Sequence, residues 1–352
     1  MADSRRPALR WTSCPSLFAP FVSFVVNTSR VGRKRVVDAV TWTAGARSRL
    51  LAWHKGCIII PPVPVALIQL RHSRMRHVSI FAFCLTTIVF LATLHLADAQ
   101  DAWPRFRGPN ADGVASDDPR LPAVWSQTDN VAWVADLPGW GWACPVVWGD
   151  RVFISTVVAD EPGDEPGKGL SLGEGGRDPA PGVHHWMVYC FDLNSGVQLW
   201  KQEAYRGEPA VPRHPKSTYA AETPATDGER VYVLFGDLGI YAYDYDGSLV
   251  WSHDIKPRKT FMDYGAAASP IVYQGQVIYQ YDNQEDSYLM SLDAKTGRER
   301  WRTPRDEPST WATPFVWENR LRTEIVTCGK NKIRAYDLDG ELLWAMDGRM
   351  SN

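Results

Sequence analysis

From residue 142 onward short apolar runs alternate with polar breaks, and one order of features returns four times. Each unit opens on a small residue and a proline, then runs through a short apolar stretch, a turn and a second, alternating stretch. The four copies are "WACPVVWGDRVFIST" (142–156), "AETPATDGERVYVLF" (221–235), "AASPIVYQGQVIYQY" (267–281) and "WATPFVWENRLRTEIV" (311–326). Runs this short, bounded by Gly, Pro and Asp, predict strands rather than helices. Pro145, Pro224, Pro270 and Pro314 fall at strand entry, where a missing amide costs least. The pairs Gly149-Asp150, Asp227-Gly228, Gln274-Gly275 and Glu318-Asn319 are expected to make the turns.

A second phrase follows each of these: "CFDLNSGVQLW" (190–200), "AYDYDGSLVW" (242–251), "SLDAKTGRERW" (291–301) and "AYDLDGELLW" (335–344). Asp192, Asp244, Asp293 and Asp337 end a strand and can bond turn amides, while Gly196, Gly247, Gly297 and Gly340 supply the positive φ of a tight hairpin. Asp246-Gly247 and Asp339-Gly340 read as two-residue loops, and the other two loops as one residue longer. Trp200, Trp251, Trp301 and Trp344, spaced 51, 50 and 43 residues apart, then fall early on an outermost strand, where a flat side chain can cover the junction with the next unit. Trp133 in "NVAWVADLPG" has the same outer-strand character with no inner strands before it. Four strands per unit at a period of 40 to 50 residues predict an all-β propeller of four-stranded antiparallel blades: four blades plus an N-terminal strand, expected to be part of a seven- or eight-bladed ring. The blades are placed at 142–205, 221–256, 267–304 and 311–348.

Charge divides the chain. Of 38 Lys and Arg and 40 Asp and Glu, thirteen basic and only three acidic residues precede position 101, leaving 25 against 37 after it. An acidic surplus of that size disfavours nucleic acid, which needs a basic footprint. At the boundary, "MRHVSIFAFCLTTIVFLATLHLADAQ" (75–100) has Arg76, an apolar run and an Ala97-Asp98-Ala99 cleavage pattern. Residues 75–99 therefore read as a signal peptide starting at Met75, and 1–74 as a disordered, non-native extension. The alternative is an uncleaved membrane anchor. With cleavage, the mature chain from 101 is periplasmic or secreted and has no membrane span.

Cys144, Cys190 and Cys328 are the cysteines past the signal; they read as small buried residues, a Cys144–Cys190 disulfide being the alternative. The Gly-, Pro- and acid-rich stretch between Thr156 and His185 is expected to be a mobile surface loop. His184 and His185 point to opposite faces of a strand and are unsuited to one metal. "YDNQEDS" (281–287) reads as a hairpin with a solvated acidic tip rather than an ion site.

The Asp-x-x-Thr-Gly-x-x-x-Trp hairpin resembles the tryptophan-docking repeat of the PQQ-like propellers, a family holding quinoprotein dehydrogenases and the non-enzymatic outer-membrane assembly factor BamB. "AWPRFRGPNADGV" (102–114) is similar to the start of exported PQQ-like repeat proteins. For the dehydrogenases the resemblance implies a vicinal disulfide, a calcium ion held by Glu and Asn, an Asp base and a stacking Trp. The sequence has no adjacent cysteines, and no motif places the other groups, so PQQ with calcium is unsupported and neither a catalytic nor a metal residue is assigned.

Residues just before the repeated prolines should ring one mouth of the propeller channel: Trp142, Cys144, Glu222, Thr223, Ser269, Trp311 and Thr313. "RHPKSTYAAETP" (213–224) adds His214, Lys216 and Tyr219 on the same approach. No Ser-x-x-Lys order and no Gly-x-Ser-x-Gly elbow supports nucleophilic hydrolysis. The functional expectation is a non-catalytic binding or scaffold module of the cell envelope, taking a protein or a small molecule at Trp142, His214, Lys216, Tyr219, Glu222 and Trp311. The alternatives are a PQQ-dependent dehydrogenase and an incomplete propeller fragment without independent function.

Overall fold

The computed structural model describes residues 102–119, 121–126, 129–162, 165–168 and 175–348. The signal segment and the extension before it lie outside the described residues. Four sheets of four antiparallel strands follow one another, each with its strands in chain order. The first holds β1 (Val146–Trp148), β2 (Arg151–Ala159), β3 (His184–Asp192) and β4 (Gln198–Gly207). The second holds β5 (Ala225–Thr226), β6 (Arg230–Phe235), β7 (Gly239–Asp244) and β8 (Leu249–Asp254). The third comprises β9 (Ile271–Tyr273), β10 (Gln276–Tyr281), β11 (Tyr288–Asp293) and β12 (Glu299–Pro304). The fourth comprises β13 (Phe315–Glu318), β14 (Thr323–Cys328), β15 (Lys332–Tyr336) and β16 (Leu342–Asp347).

Burial follows from each strand's place. The two middle strands of a sheet lie between neighbouring sheets, so they are buried on both faces: Val231 to Phe235 on β6 and all six residues of β10 are buried. That overrides the alternation expected of the second strand in each unit, since alternation needs one wet face. The outer strands β8 and β12 keep a wet edge and do alternate. The apolar clusters are accordingly interfaces between sheets. Phe153, Trp186, Val188 and Cys190 pack on Val233, Phe235 and Tyr241; Leu234 and Ile240 pack on Tyr279, Tyr288 and Met290. A smaller cluster joins Ile278 and Leu289 to Ile325 and Tyr336.

Each interface is fastened by a tryptophan. The Trp200 indole donates to the Tyr245 carbonyl at 2.9 Å, Trp251 to Ala294 at 3.0 Å and Trp301 to Leu338 at 2.9 Å, always in the hairpin of the following sheet. The ring lies flat on that hairpin's glycine, so a methyl at Gly247, Gly297 or Gly340 would come within 2.8 Å of it. Glycine is thus required twice over, for its φ near +70 to +87° and for the close approach. Trp133 fastens the first sheet in the same way, donating to the Leu193 carbonyl at 2.8 Å over Gly196. Trp344 differs: its indole bonds Glu324 of its own sheet at 2.7 Å.

Some local expectations need correction. Among the described residues, the segment around Trp133 belongs to no strand ladder; its Leu137, with Trp103, packs on Val152, Ile154 and Tyr189 of the first sheet. The hairpins close one residue wider than expected, with Asp244 N–H on Ser248 and Asp192 N–H on Val197. A bulge in the pairing of the third and outer strands, as between Ala242 and Tyr243, absorbs the extra residue. Two inner turns shift, by one residue to Gly228-Glu229 and by two to Arg320-Leu321, because Asp227 and Asn319 pair across the turn with Arg230 and Arg322. Cys144, Cys190 and Cys328 are all free, and Cys144 and Cys328 are only half-buried.

Candidate binding face

Antiparallel order places the β2–β3, β6–β7, β10–β11 and β14–β15 turns at one end of the sheets, together with the connections that lead from each outer strand to the next inner one. The tryptophan fastenings occupy the opposite end. At the first end the sheets are stitched where the inner strands begin. Cys144 N–H donates to Thr223 Oγ1 at 3.0 Å, Thr223 N–H to Ser269 Oγ at 2.9 Å and Ser269 N–H to Thr313 Oγ1 at 3.0 Å. These residues, picked out from their place before the prolines, hydrogen-bond one another from sheet to sheet.

The connection from β4 to β5 carries His214, Lys216, Tyr219 and Glu222. The Trp142 indole, 46% exposed, donates to the Lys216 carbonyl at 2.6 Å. Lys216 N–H donates to His214 Nδ1 at 3.1 Å, fixing the imidazole with its edge against Tyr264, the ring centres 4.7 Å apart. Tyr264 in turn lies 5.7 Å from Trp311, whose indole donates to the Gly265 carbonyl at 2.8 Å. Trp142, Lys216, His214, Tyr264 and Trp311 thereby form one continuous strip. Tyr264 is not marked in the sequence, where aromatics in the β8–β9 connection follow no repeat position.

Tyr219 and Glu222 are not on this strip but beneath it. Tyr219 is buried against Trp186 and His184, its hydroxyl donating to the Val211 carbonyl at 3.1 Å and accepting from Ala180 N–H at 3.0 Å. Glu222 stands where the other sheets have Ala143, Ala268 and Ala312. Its carboxylate, 2% exposed, accepts the Gly236 amide at 3.1 Å on the wall of a narrow pocket that Asp237, Arg213 and Tyr219 also line. Burial, reinforced by the Asp237 charge, pushes Glu222 up to about 8; burial raises Asp237 to about 7. A group whose folded pKa is raised keeps a proton that the unfolded chain has lost, so stability falls as pH rises from about 5 to 8. Glu222→Gln should remove the larger share of that slope, leaving the Asp237 part, in melting temperatures compared at pH 5 and pH 8. An unchanged slope would place the carboxylate in water.

The loop between β2 and β3 is not simply solvated. Gly167 N–H donates to the Pro215 carbonyl at 2.7 Å, and Gly176 N–H to Asp263 Oδ2 at 2.6 Å, so its described parts dock on the connections flanking the strip. His185 lies between Asp160 and Glu203, and hydrogen bonding to Glu203 raises its pKa. The 281–287 turn carries an exposed acidic tip as expected, Glu285 and Asp286, with Asp286 paired to Arg258. Asp282 is fully buried against Arg305, with Nε on Oδ1 at 2.7 Å, and Thr310 and Gln280 also donate to it. No local signal marked this pair, whose members sit 23 residues apart on a strand end and a connection.

The cofactor of quinoprotein dehydrogenases does not fit the described residues. The cysteines are separate, and no group of three His, Cys, Asp or Glu side chains converges as a metal site among them. No step is therefore derived through a quinone.

Four consecutive four-stranded sheets, each fastened tryptophan-on-glycine to the next, define a β-propeller of the PQQ-like repeat class. The chain belongs to the family described as outer membrane protein assembly factor BamB, whose model matches residues 113–286 and 239–351. Among solved structures it is similar to the quinohemoprotein alcohol dehydrogenase of Comamonas testosteroni, with 17% identity over 73% of this chain and 42% of that one, at a TM-score of 0.47. It is also similar to BamB from Moraxella catarrhalis, with 12% identity over 63% of this chain and 69% of that one and a TM-score of 0.36. For the quinohemoprotein alcohol dehydrogenase ADHIIG of Pseudomonas putida HK5 the values are 18%, 48% and 33%, with a TM-score of 0.33. The chain thus spans a third to less than half of the length of these two dehydrogenases. No curated protein sequence matches it. Among the described residues, no helix is long and apolar enough to cross a membrane.

Proposed function

We propose that the protein is a non-catalytic binding module of the cell envelope whose working surface is the strip from Trp142 to Trp311. The observation that carries this reading is the strip itself. Partly exposed aromatic rings are held in fixed orientation by indole bonds to the Lys216 and Gly265 carbonyls and by the His214–Tyr264 contact. Rigid aromatic side chains lose little entropy on binding and bury large areas, which suits them to recognising a polypeptide. The export signal expected from Met75 and membership of a family described as outer membrane protein assembly factor BamB support the location and the polypeptide partner.

The test replaces Trp142 with a photo-crosslinking phenylalanine analogue in the full chain expressed in its own cells, with Leu249 on the outer strand β8 as control. One identified polypeptide should be joined at 142 and not at 249. Equal labelling at both positions, or dye reduction by the purified chain given PQQ, calcium and a primary alcohol, would overturn the proposal.

A further inference from the structure

The strip is cationic as well as aromatic, on a chain that is otherwise acidic. From residue 101 onward acidic residues outnumber basic ones by 37 to 25, and several guanidinium groups near the sheets hold a carboxylate. Arg258 pairs with Asp286, Arg302 with Glu299, Arg322 with Glu324 and Lys332 with Asp306. Among the described residues Lys216 and Lys330, like Lys201, Lys256, Lys259 and Lys295, hold no carboxylate within ion-pair distance, and what sets these two apart is their place on the strip beside the aromatic rings. Lys216 lies between Trp142 and His214, while Lys330 lies over Phe261 at 5.5 Å, with Phe261 edge-on to Tyr264 at 6.0 Å. The local field is positive enough to register on its neighbour: His214 is held below the ordinary histidine range by burial first and then by Arg177 and Lys216.

Resting on the reading of the strip as a polypeptide surface, we infer that its partner is a segment carrying both aromatic side chains and carboxylates. The rings of Trp142, Tyr264 and Trp311 receive the aromatic groups by stacking or edge contact. Lys216 and Lys330, unpaired in the free protein, receive the carboxylates without first breaking an internal ion pair. Charge complementarity of this kind selects partners and speeds their encounter. Single-stranded nucleic acid also offers rings and anions, but two free lysines on a surface with a net acidic surplus are a poor counterpart for a phosphate backbone.

Fluorescence anisotropy with the full chain separates these outcomes. The probes are three fluorescein-labelled peptides of equal length, one built on Phe and Asp, one with Lys for each Asp and one with Ala for each Phe, and a labelled oligothymidine. The Phe/Asp peptide should bind best, weaken with added salt, and lose about tenfold in affinity in a Lys216→Glu, Lys330→Glu double variant. Trp142→Ala should lose affinity for it at any salt, and circular dichroism of each variant confirms that it is folded. Equal binding of the Lys-containing peptide, tighter binding of oligothymidine, or no peptide binding would overturn the inference. The crosslinking reading survives the first and third of these if the adduct at 142 still forms, and fails with the adduct whatever the peptides do.

Discussion

Trp251→Ala is expected to lower the unfolding free energy by about 3–5 kcal/mol, the cost of emptying a well-packed site of this size. Trp251 is 8% exposed and touches two sheets at once, with its indole on the Ala294 carbonyl and its ring on Gly297. The substitution removes the ring, leaves that carbonyl only the Tyr232 hydroxyl at 3.2 Å as a donor, and opens the seam between the second and third sheets. Trp344→Ala removes the same atoms from a half-exposed position bonded only within its own sheet, and should cost much less. Urea denaturation of the two variants side by side is the measurement. Equal midpoint shifts would mean that tryptophan stabilises these sheets one at a time rather than joining them.

Arg305→Met should cost a comparable amount, about 3–5 kcal/mol, for a different reason. Arg305 and Asp282 are both completely buried. Removing the guanidinium strands a carboxylate and also leaves Thr327 Oγ1 and the Tyr336 hydroxyl, which it reaches at 2.6 and 3.0 Å, without their donor. Adding Asp282→Asn to the same variant takes the stranded charge away and should recover a good part of the loss. A double variant no more stable than Arg305→Met alone would show that hydrogen bonding, not the uncompensated charge, dominates there.

The repeat made the architecture readable because it encodes local geometry. An aspartate that ends a strand, a glycine at positive φ and a tryptophan a few residues on are each answered by a contact in their own hairpin or the next one. Asp293, for instance, accepts the Lys295 and Thr296 amides at 3.1 and 3.0 Å. The loop lengths were misjudged because a bulge leaves no mark in the sequence beyond the glycine it accompanies. The binding face was half legible. Position relative to the prolines found Trp142 and Trp311, and polar density found His214 and Lys216. Tyr264, Lys330 and the Asp282–Arg305 pair depend on connections from different sheets meeting in space, which no spacing along the chain encodes. Glu222 stands at a repeat position that the other sheets fill with alanine, buried in two of them, and so lies under the strip.

The receiving half of each fastening is a backbone carbonyl above a glycine, and it asks nothing of the side chains around it. Tyr245, Ala294 and Leu338 serve equally well as the acceptor residue. A duplicated unit would therefore arrive already able to dock on its parent, whatever substitutions its faces had collected. The fastening is in that sense a standard joint, and it lets copy number and surface chemistry in this class of protein evolve independently of each other.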